Sequence, residues 1–286
     1  MIISASRRTD IPAFYGEWFI KRLREKKVFV RNPMNAGQVT ELALDPQNID
    51  CIVFWTKNPK NFLQYLDEID SLGYRYYFQF TLTPYNAALE RNVGDKAEII
   101  ETFIELSQRI GKERVIWRYD PIIFSETYSL AYHERAFASL CTKLRCYTEK
   151  CVISFIDRYG FLEKDFTALK IHELSAAECG LVAKSICKIA EKYTIRVCSC
   201  CEKIDLDEYR IARNKCIDDE LVNRICGSKL KYRKDAGQRE RCRCTASRDI
   251  GAYNTCRHNC VYCYAKRGPE KAGYNPDSSE LYGPLP

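Results

Sequence analysis

"DCIVFWTKNP" at residues 50–59 and "YRYYFQFTLTPY" at residues 74–85 share one construction: an apolar run followed by a polar end. A strand with one wet face alternates apolar and polar residues. A strand covered on both faces reads as a near-continuous apolar run. Outward from these two, "MIISAS" (1–6), "RVIWRYDPI" (114–122), "KCVISFIDRYG" (150–160) and "YTIRVCSCCE" (193–202) repeat the pattern, while "KVFVRNP" (27–33) and "QVTELAL" (38–44) read as a short hairpin. The segments between them carry helix signals. Phe14, Trp18, Phe19 and Leu23 are helically spaced within 12–25, residues 59–71 and 95–110 are similar, and Ser175 with Glu178 makes a capping box opening a helix that ends near Tyr193. Strand then helix, repeated about six times, predicts an α/β fold on a parallel sheet. A (β/α) barrel or partial TIM-like barrel over residues 1–200 fits best, with a doubly wound open sheet as the alternative. No G-x-G-x-x-G follows the first strand, which weakens a dinucleotide fold. Residues 201–270 read as a cysteine-rich segment packed on the barrel mouth, and 271–286, rich in Pro, Gly and Ser, as a mobile tail.

The chain has 286 residues, 46% of them hydrophobic, enough for a substantial core without disulfides. No apolar run reaches the roughly eighteen residues of a membrane span, and "MIISASRRTD" lacks the pattern of a secretory signal. A cytoplasmic protein with reduced thiols is expected, and sixteen cysteines there suggest metal or redox chemistry. The net charge of +7 is uneven: residues 229–248 hold eight Lys or Arg against two acids. Such a run is a solvated face, a counter-charge for a buried anionic centre, or a landing patch for an acidic protein or nucleic acid.

In barrels of this kind function sits at the C-terminal ends of the strands. Arg7, Arg8 and Asp10 follow the first strand, Lys57 follows "CIVFWT", Arg118 and Asp120 end "VIW", and Asp157 ends "VISFI". These residues read as a polar pocket for an anionic or zwitterionic ligand, because buried charge is costly unless something uses it. An internal ion-pair network is the rival explanation.

Cys51, Cys141, Cys146, Cys151, Cys179 and Cys187 lack mutual ligand spacing and read as small buried hydrophobes. Cys256, Cys260 and Cys263 differ, because C-x3-C-x2-C lets one loop converge three thiolates without long-range folding. Three thiolates can hold three irons of a [4Fe–4S] cube and leave the fourth open to a small molecule; zinc is the rival ion. His258, between the first two, reads as an exposed spacer. Cys198, Cys200, Cys201, Cys216, Cys242 and Cys244 remain. Cys200, Cys216, Cys242 and Cys244 are the expected set for a second, closed centre, with Cys201 as the substitute.

"YNTCRHNCVYCYA" resembles the cysteine signature of radical S-adenosylmethionine enzymes, most closely the spore photoproduct lyase-like version ending in "YCYA". That resemblance implies a cube on Cys256, Cys260 and Cys263, S-adenosylmethionine chelated at the open iron, Tyr262 beside the adenine, and an acidic electron donor such as a flavodoxin or ferredoxin. The substrate would be a small molecule or a modified macromolecule. Two departures stand out: the loop is C-terminal rather than after the first strand, and no "GGE"-like segment is present. From "SASRRTDIPAF" through "VFWTKNP", "VIWRYDPI" and "CIDD" to the last cysteine, the chain also resembles a family known as domain of unknown function 1848. The alternatives are an iron–sulfur electron carrier or redox sensor without a radical step, and a zinc-stabilised nucleic-acid-binding protein using residues 229–248. The latter is disfavoured because Tyr232 is the one aromatic in that run.

Overall fold

The computed structural model describes residues 1–282. β1 (Ile2–Ala5) leads into α1 (Ile11–Phe14) and α2 (Gly16–Glu25); β2 (Lys27–Asn32) and β3 (Asn35–Ala43) form the antiparallel hairpin. The alternation then runs β4 (Cys51–Thr56), α3 (Leu66–Ser71), β5 (Tyr76–Thr81), α4 (Lys96–Ile110), β6 (Val115–Ile122), α5 (Leu130–Leu144), β7 (Lys150–Phe155), α6 (Glu163–Ala168), α7 (Ala176–Glu191) and β8 (Arg196–Ser199). β9 (Ala212–Arg213), α8 (Asp219–Cys226) and β10 (Arg248–Asp249) complete the chain.

Eight strands pair in the order β10-β1-β4-β5-β6-β7-β8-β9, every pair parallel. The expected parallel α/β architecture is present. The ladder ends at β10 on one side and β9 on the other, so what is established is a large parallel sheet, not a closed barrel.

Both faces of this sheet are covered, which is why its strands read as unbroken apolar runs. On one face, Phe54, Phe78, Trp117 and Ile153 meet Phe19 of α2, Phe103 of α4, Phe137 of α5 and Ile186 of α7 in one core. On the other, Ile2, Val53, Tyr77, Ile116 and Val152 meet Leu221 and Val222 of α8 and Ile217 just before it, together with Cys216, Cys242 and Cys244. The crossover helices therefore pack on one face, unlike a doubly wound sheet, and α8 with Cys216, Cys242 and Cys244 packs on the other, while Cys260, Val261 and Tyr262 join the helix-side core.

Some expectations change. Residues 274–282 of the segment expected to be mobile are docked: the Trp18 indole donates to Ser278 O at 2.8 Å, and Leu281 and Tyr282 are buried. The rest of that tail, 283–286, lies outside the described residues. Cys51, Cys141, Cys151 and Cys179 are buried, but Cys146 is exposed and Cys187 half-buried.

α7 carries the expected capping box, with Glu178 N donating to Ser175 Oγ and Ser175 N donating to Glu178 Oε2. Ser175→Ala should cost about 1 kcal/mol, read as a small downward shift of the thermal midpoint with unchanged secondary structure.

Candidate functional site

The C-terminal segment reaches the sheet by adding β10 beside β1, with Ile3 opposite Arg248 and Ser4 opposite Asp249. The Asp249 carboxylate then accepts from Ser4 Oγ (2.9 Å), Ser6 Oγ (2.7 Å) and Arg7 N (2.8 Å). The approach is so close that a Cβ on Gly251 would stand 2.1 Å from Ser6 Oγ, which leaves room only for glycine.

The Cys256–Cys263 loop docks at the polar ends of β1 and β4. Asn92 N donates to His258 O at 3.0 Å and Val261 N to Leu89 O at 2.9 Å. His258 Nε2 lies 2.8 Å from Asp10 Oδ2, and the Tyr264 hydroxyl donates to Arg7 O at 2.6 Å. His258, expected as an exposed spacer, is thus buried, with its ring against a carboxylate and edge-on to Phe14 at 4.6 Å. Asn259 sits between the first two cysteines at φ 53°, a left-handed conformation that asparagine tolerates better than most residues.

Cys256, Cys260 and Cys263 line one cavity of about 300 Å³ together with Asn254, Asn259, Lys266 and Glu270. Burial pushes the Cys260 thiol up to about 12, against the pull of Lys57. Burial likewise pushes the Cys256 and Cys263 thiols up, and nearby backbone N–H groups, of His258 for Cys256 and of Ala265 and Lys266 for Cys263, pull them down against it. Neutral thiols are weak acceptors, whereas thiolates make strong charge-assisted bonds. This donor set fits an iron–sulfur cube better than three inert thiols. Among the described residues, no three His, Cys, Asp or Glu side chains stand in ligand geometry about a single ion.

The rim residues divide into groups. Asp10 caps α1 through Ala13 N (2.9 Å), accepts from Lys57 N (2.7 Å) and holds His258. Lys57 Nζ donates to Glu90 Oε1 at 2.7 Å and to the Tyr262 hydroxyl at 2.9 Å. Tyr262, expected beside an adenine, is buried and pinned there, also donating to Glu90. Arg7 and Arg118 flank the Trp55 ring at 5.4 and 5.1 Å. Arg118 pairs with Asp120, which also accepts from Ser154 Oγ. Arg8 lies over Tyr253, with its Nη1 donating to Gly251 O at 3.3 Å. Asp157 is not part of this rim. It pairs with Arg239 at 2.5 Å and lines a separate cavity of about 100 Å³ with His172, Cys201 and Glu202.

The four expected second-centre cysteines come together. Cys200 Sγ lies 3.4 Å from Cys216 Sγ, Cys216 N donates to Cys244 Sγ at 3.3 Å, and Cys244 N to Cys242 Sγ at 3.5 Å.

Sequence reasoning passed over Glu90, Lys96, Glu202 and Cys226. Glu90 is buried and accepts from Lys57, Lys96, Tyr262 and Thr83 Oγ1, the last at 2.6 Å. Burial alone would push it up, but the Lys57 and Lys96 ammoniums hold it down at about 2. Glu202 shows the opposite balance. Burial pushes it up to about 7, despite the bond it accepts from Phe155 N at 3.0 Å. A carboxyl so placed can exchange a proton near neutral pH, and its one legible signal was its position just past the β8 apolar run. Cys226 donates to Asp50 O at 2.9 Å.

No curated protein matches this chain. Among solved structures, a chain described as "putative alpha-L-fucosidase" from Bacteroides thetaiotaomicron VPI-5482 aligns at 10% identity over 78% of this chain and 82% of its own, with a TM-score of 0.28. No helix among the described residues is long and apolar enough to cross a membrane. The model of one family matches residues 2–265, from the first strand through the cysteine loop, and the chain belongs to that family, domain of unknown function DUF1848.

Proposed function

We propose that the chain is an iron–sulfur enzyme of the radical S-adenosylmethionine type, with Cys256, Cys260 and Cys263 holding an open [4Fe–4S] cluster. The observation that carries this reading is the lining of one roomy cavity by all three thiols. The chemistry a bound cube supplies is one-electron reduction of the sulfonium, which cleaves a carbon–sulfur bond and gives a deoxyadenosyl radical able to take a substrate hydrogen atom.

The chain's own residues have definable tasks. Lys57, near Cys260, offers positive charge beside the loop, which favours an anionic centre and its reduced state. Tyr262, fixed by Glu90 and Lys57, holds the loop in register with β4. The Asp10–His258 contact closes the loop over the rim and excludes water there. Glu202 is the best-placed proton exchanger, although it faces the second cavity. The electron would come from an acidic donor such as a flavodoxin or ferredoxin. The exposed basic residues of 229–248, Lys229, Lys231, Arg241 and Arg243, offer that donor a complementary patch.

The test is anaerobic reconstitution with iron and sulfide, reduction, and addition of S-adenosylmethionine. Formation of 5′-deoxyadenosine is expected. A fully loaded cluster that yields none would leave the electron-carrier reading instead.

A further inference from the structure

We propose that Cys200, Cys216, Cys242 and Cys244 form a closed tetrahedral site for one zinc ion, not a second iron–sulfur cluster. The inference is independent of the chemistry at the Cys256–Cys263 loop.

Three observations carry it. The first is spacing. A tetrahedral zinc with sulfur at about 2.3 Å places its ligand sulfurs about 3.8 Å apart. Cys200 and Cys216 sulfurs already stand 3.4 Å apart, Cys244 Sγ lies 3.3 Å from Cys216 N, and Cys242 Sγ lies 3.5 Å from Cys244 N. In a cube each thiolate binds a different corner, so its sulfurs are spread far wider than touching distance. Here two sulfurs already touch and the other two sit on the backbone N–H groups of that same set, so gathering the four round one ion is a matter of side-chain adjustment.

The second is the ring of donors. Arg118 Nη1 points at Cys216 Sγ at 2.9 Å and Asn214 Nδ2 at 3.4 Å, and the N–H groups of Cys216 and Cys244 point at Cys244 and Cys242 sulfur. Arg7 lies within electrostatic reach of Cys244 and Cys216, and its Nη2 is buried with no hydrogen-bond partner among the described residues. Donors gathered on weakly accepting neutral thiols are wasted; on metal-bound thiolates they orient and stabilise the ligands.

The third is enclosure. Cys216, Cys242 and Cys244 are buried among Ile2, Val53, Ile217 and Val222. Four protein sulfurs in an apolar shell leave no open position, so the role is structural. The ligands come from just past β8, from the turn before α8 and from the stretch before β10. One ion would staple these three pieces together and so fix the strand from which the Cys256–Cys263 loop departs. The C-x-C pair at 242 and 244 is then one half of a clamp whose other half is Cys200 and Cys216.

The experiment is metal analysis of full-length protein purified anaerobically, followed by cobalt exchange. About one zinc per chain is expected, and cobalt should give the charge-transfer and d–d bands of a tetrahedral tetrathiolate. Cys216→Ser and Cys244→Ser should lose the zinc and expose residues 229–248 to limited proteolysis, whereas Cys201→Ser should keep it. Should the serine variants fail to fold, the cobalt spectrum of the wild type decides. Cys256→Ser, which removes a ligand of the proposed open cluster, should keep the zinc, so failure of the radical reading and failure of this one are separable. Iron with sulfide bound by these four cysteines, a Cys200–Cys216 disulfide in anaerobic protein, or absence of zinc would each overturn the proposal.

Discussion

Glu90→Gln should be among the most damaging substitutions at this site, lowering stability by roughly 3–5 kcal/mol because it leaves two largely enclosed ammoniums without their carboxylate. Glu90 sits almost fully enclosed (1% side-chain exposure) between Lys57 (13%) and Lys96 (27%), so little solvent is available to take over when the charge goes. Thr83 and Tyr262 lose their acceptor at the same time. At about 2–4 °C per kcal/mol for chains of comparable size, the thermal midpoint should fall by on the order of 10 °C. The pH dependence has a definite sign. A carboxyl held down at about 2 by its lysine neighbours contributes stability above the ordinary carboxylate value of 4.5 and loses it as the pH falls toward 2. The wild type should therefore weaken across that acid window, and Glu90→Gln should lack that component. An unchanged midpoint and an unchanged acid limb would show that Glu90 is not the keystone of the loop's seat.

Arg118→Met should also cost roughly 3–5 kcal/mol, since it strands Asp120 and removes a donor from Cys216. Arg118 is buried, lies over Trp55 and also bonds Gln79 at 3.2 Å. Arg8→Met is the informative contrast. Its guanidinium is 20% exposed, with a 3.9 Å approach to Asp249 and one bond to a carbonyl. It should cost well under half as much, since partly solvated pairs of long geometry contribute little. Thermal melts of the two variants check this. If both were harmless to folding and both abolished ligand binding, the rim arginines would be ligand-binding residues rather than structural ones.

What the sequence made legible follows the physics of each feature. Strands buried on both faces announce themselves, so β4 through β8 could be placed from their apolar runs. The capping box of α7 is local and was readable for the same reason. β9 and β10 have two residues each, and so short a strand exists only because a neighbouring strand accepts it. α8, which covers the second face of the sheet, was legible in its Asp218 N-cap, acidic first turn and closing Gly227, but the cysteines and charges around it drew the reading away. At the site, spacing exposed Cys256, Cys260 and Cys263, because their convergence is local. The gathering of Cys200 with Cys216 and Cys244 could be anticipated only from composition. Glu90 was invisible. It lies in a loop, and its partners Lys57, Lys96 and Tyr262 meet it only after folding. His258 was misread because its partner Asp10 lies 248 positions away in the chain.

The claim at the centre of this account is an open iron–sulfur cluster on Cys256, Cys260 and Cys263. Electron paramagnetic resonance of the anaerobically reduced protein, recorded with and without S-adenosylmethionine and alongside iron and sulfide content, tests it most directly. The expected result is the signal of a reduced [4Fe–4S] cluster that shifts when S-adenosylmethionine binds the open iron, and its loss in Cys260→Ser. A protein that takes up no iron or sulfide under these conditions, or a cluster signal indifferent to S-adenosylmethionine, would contradict it.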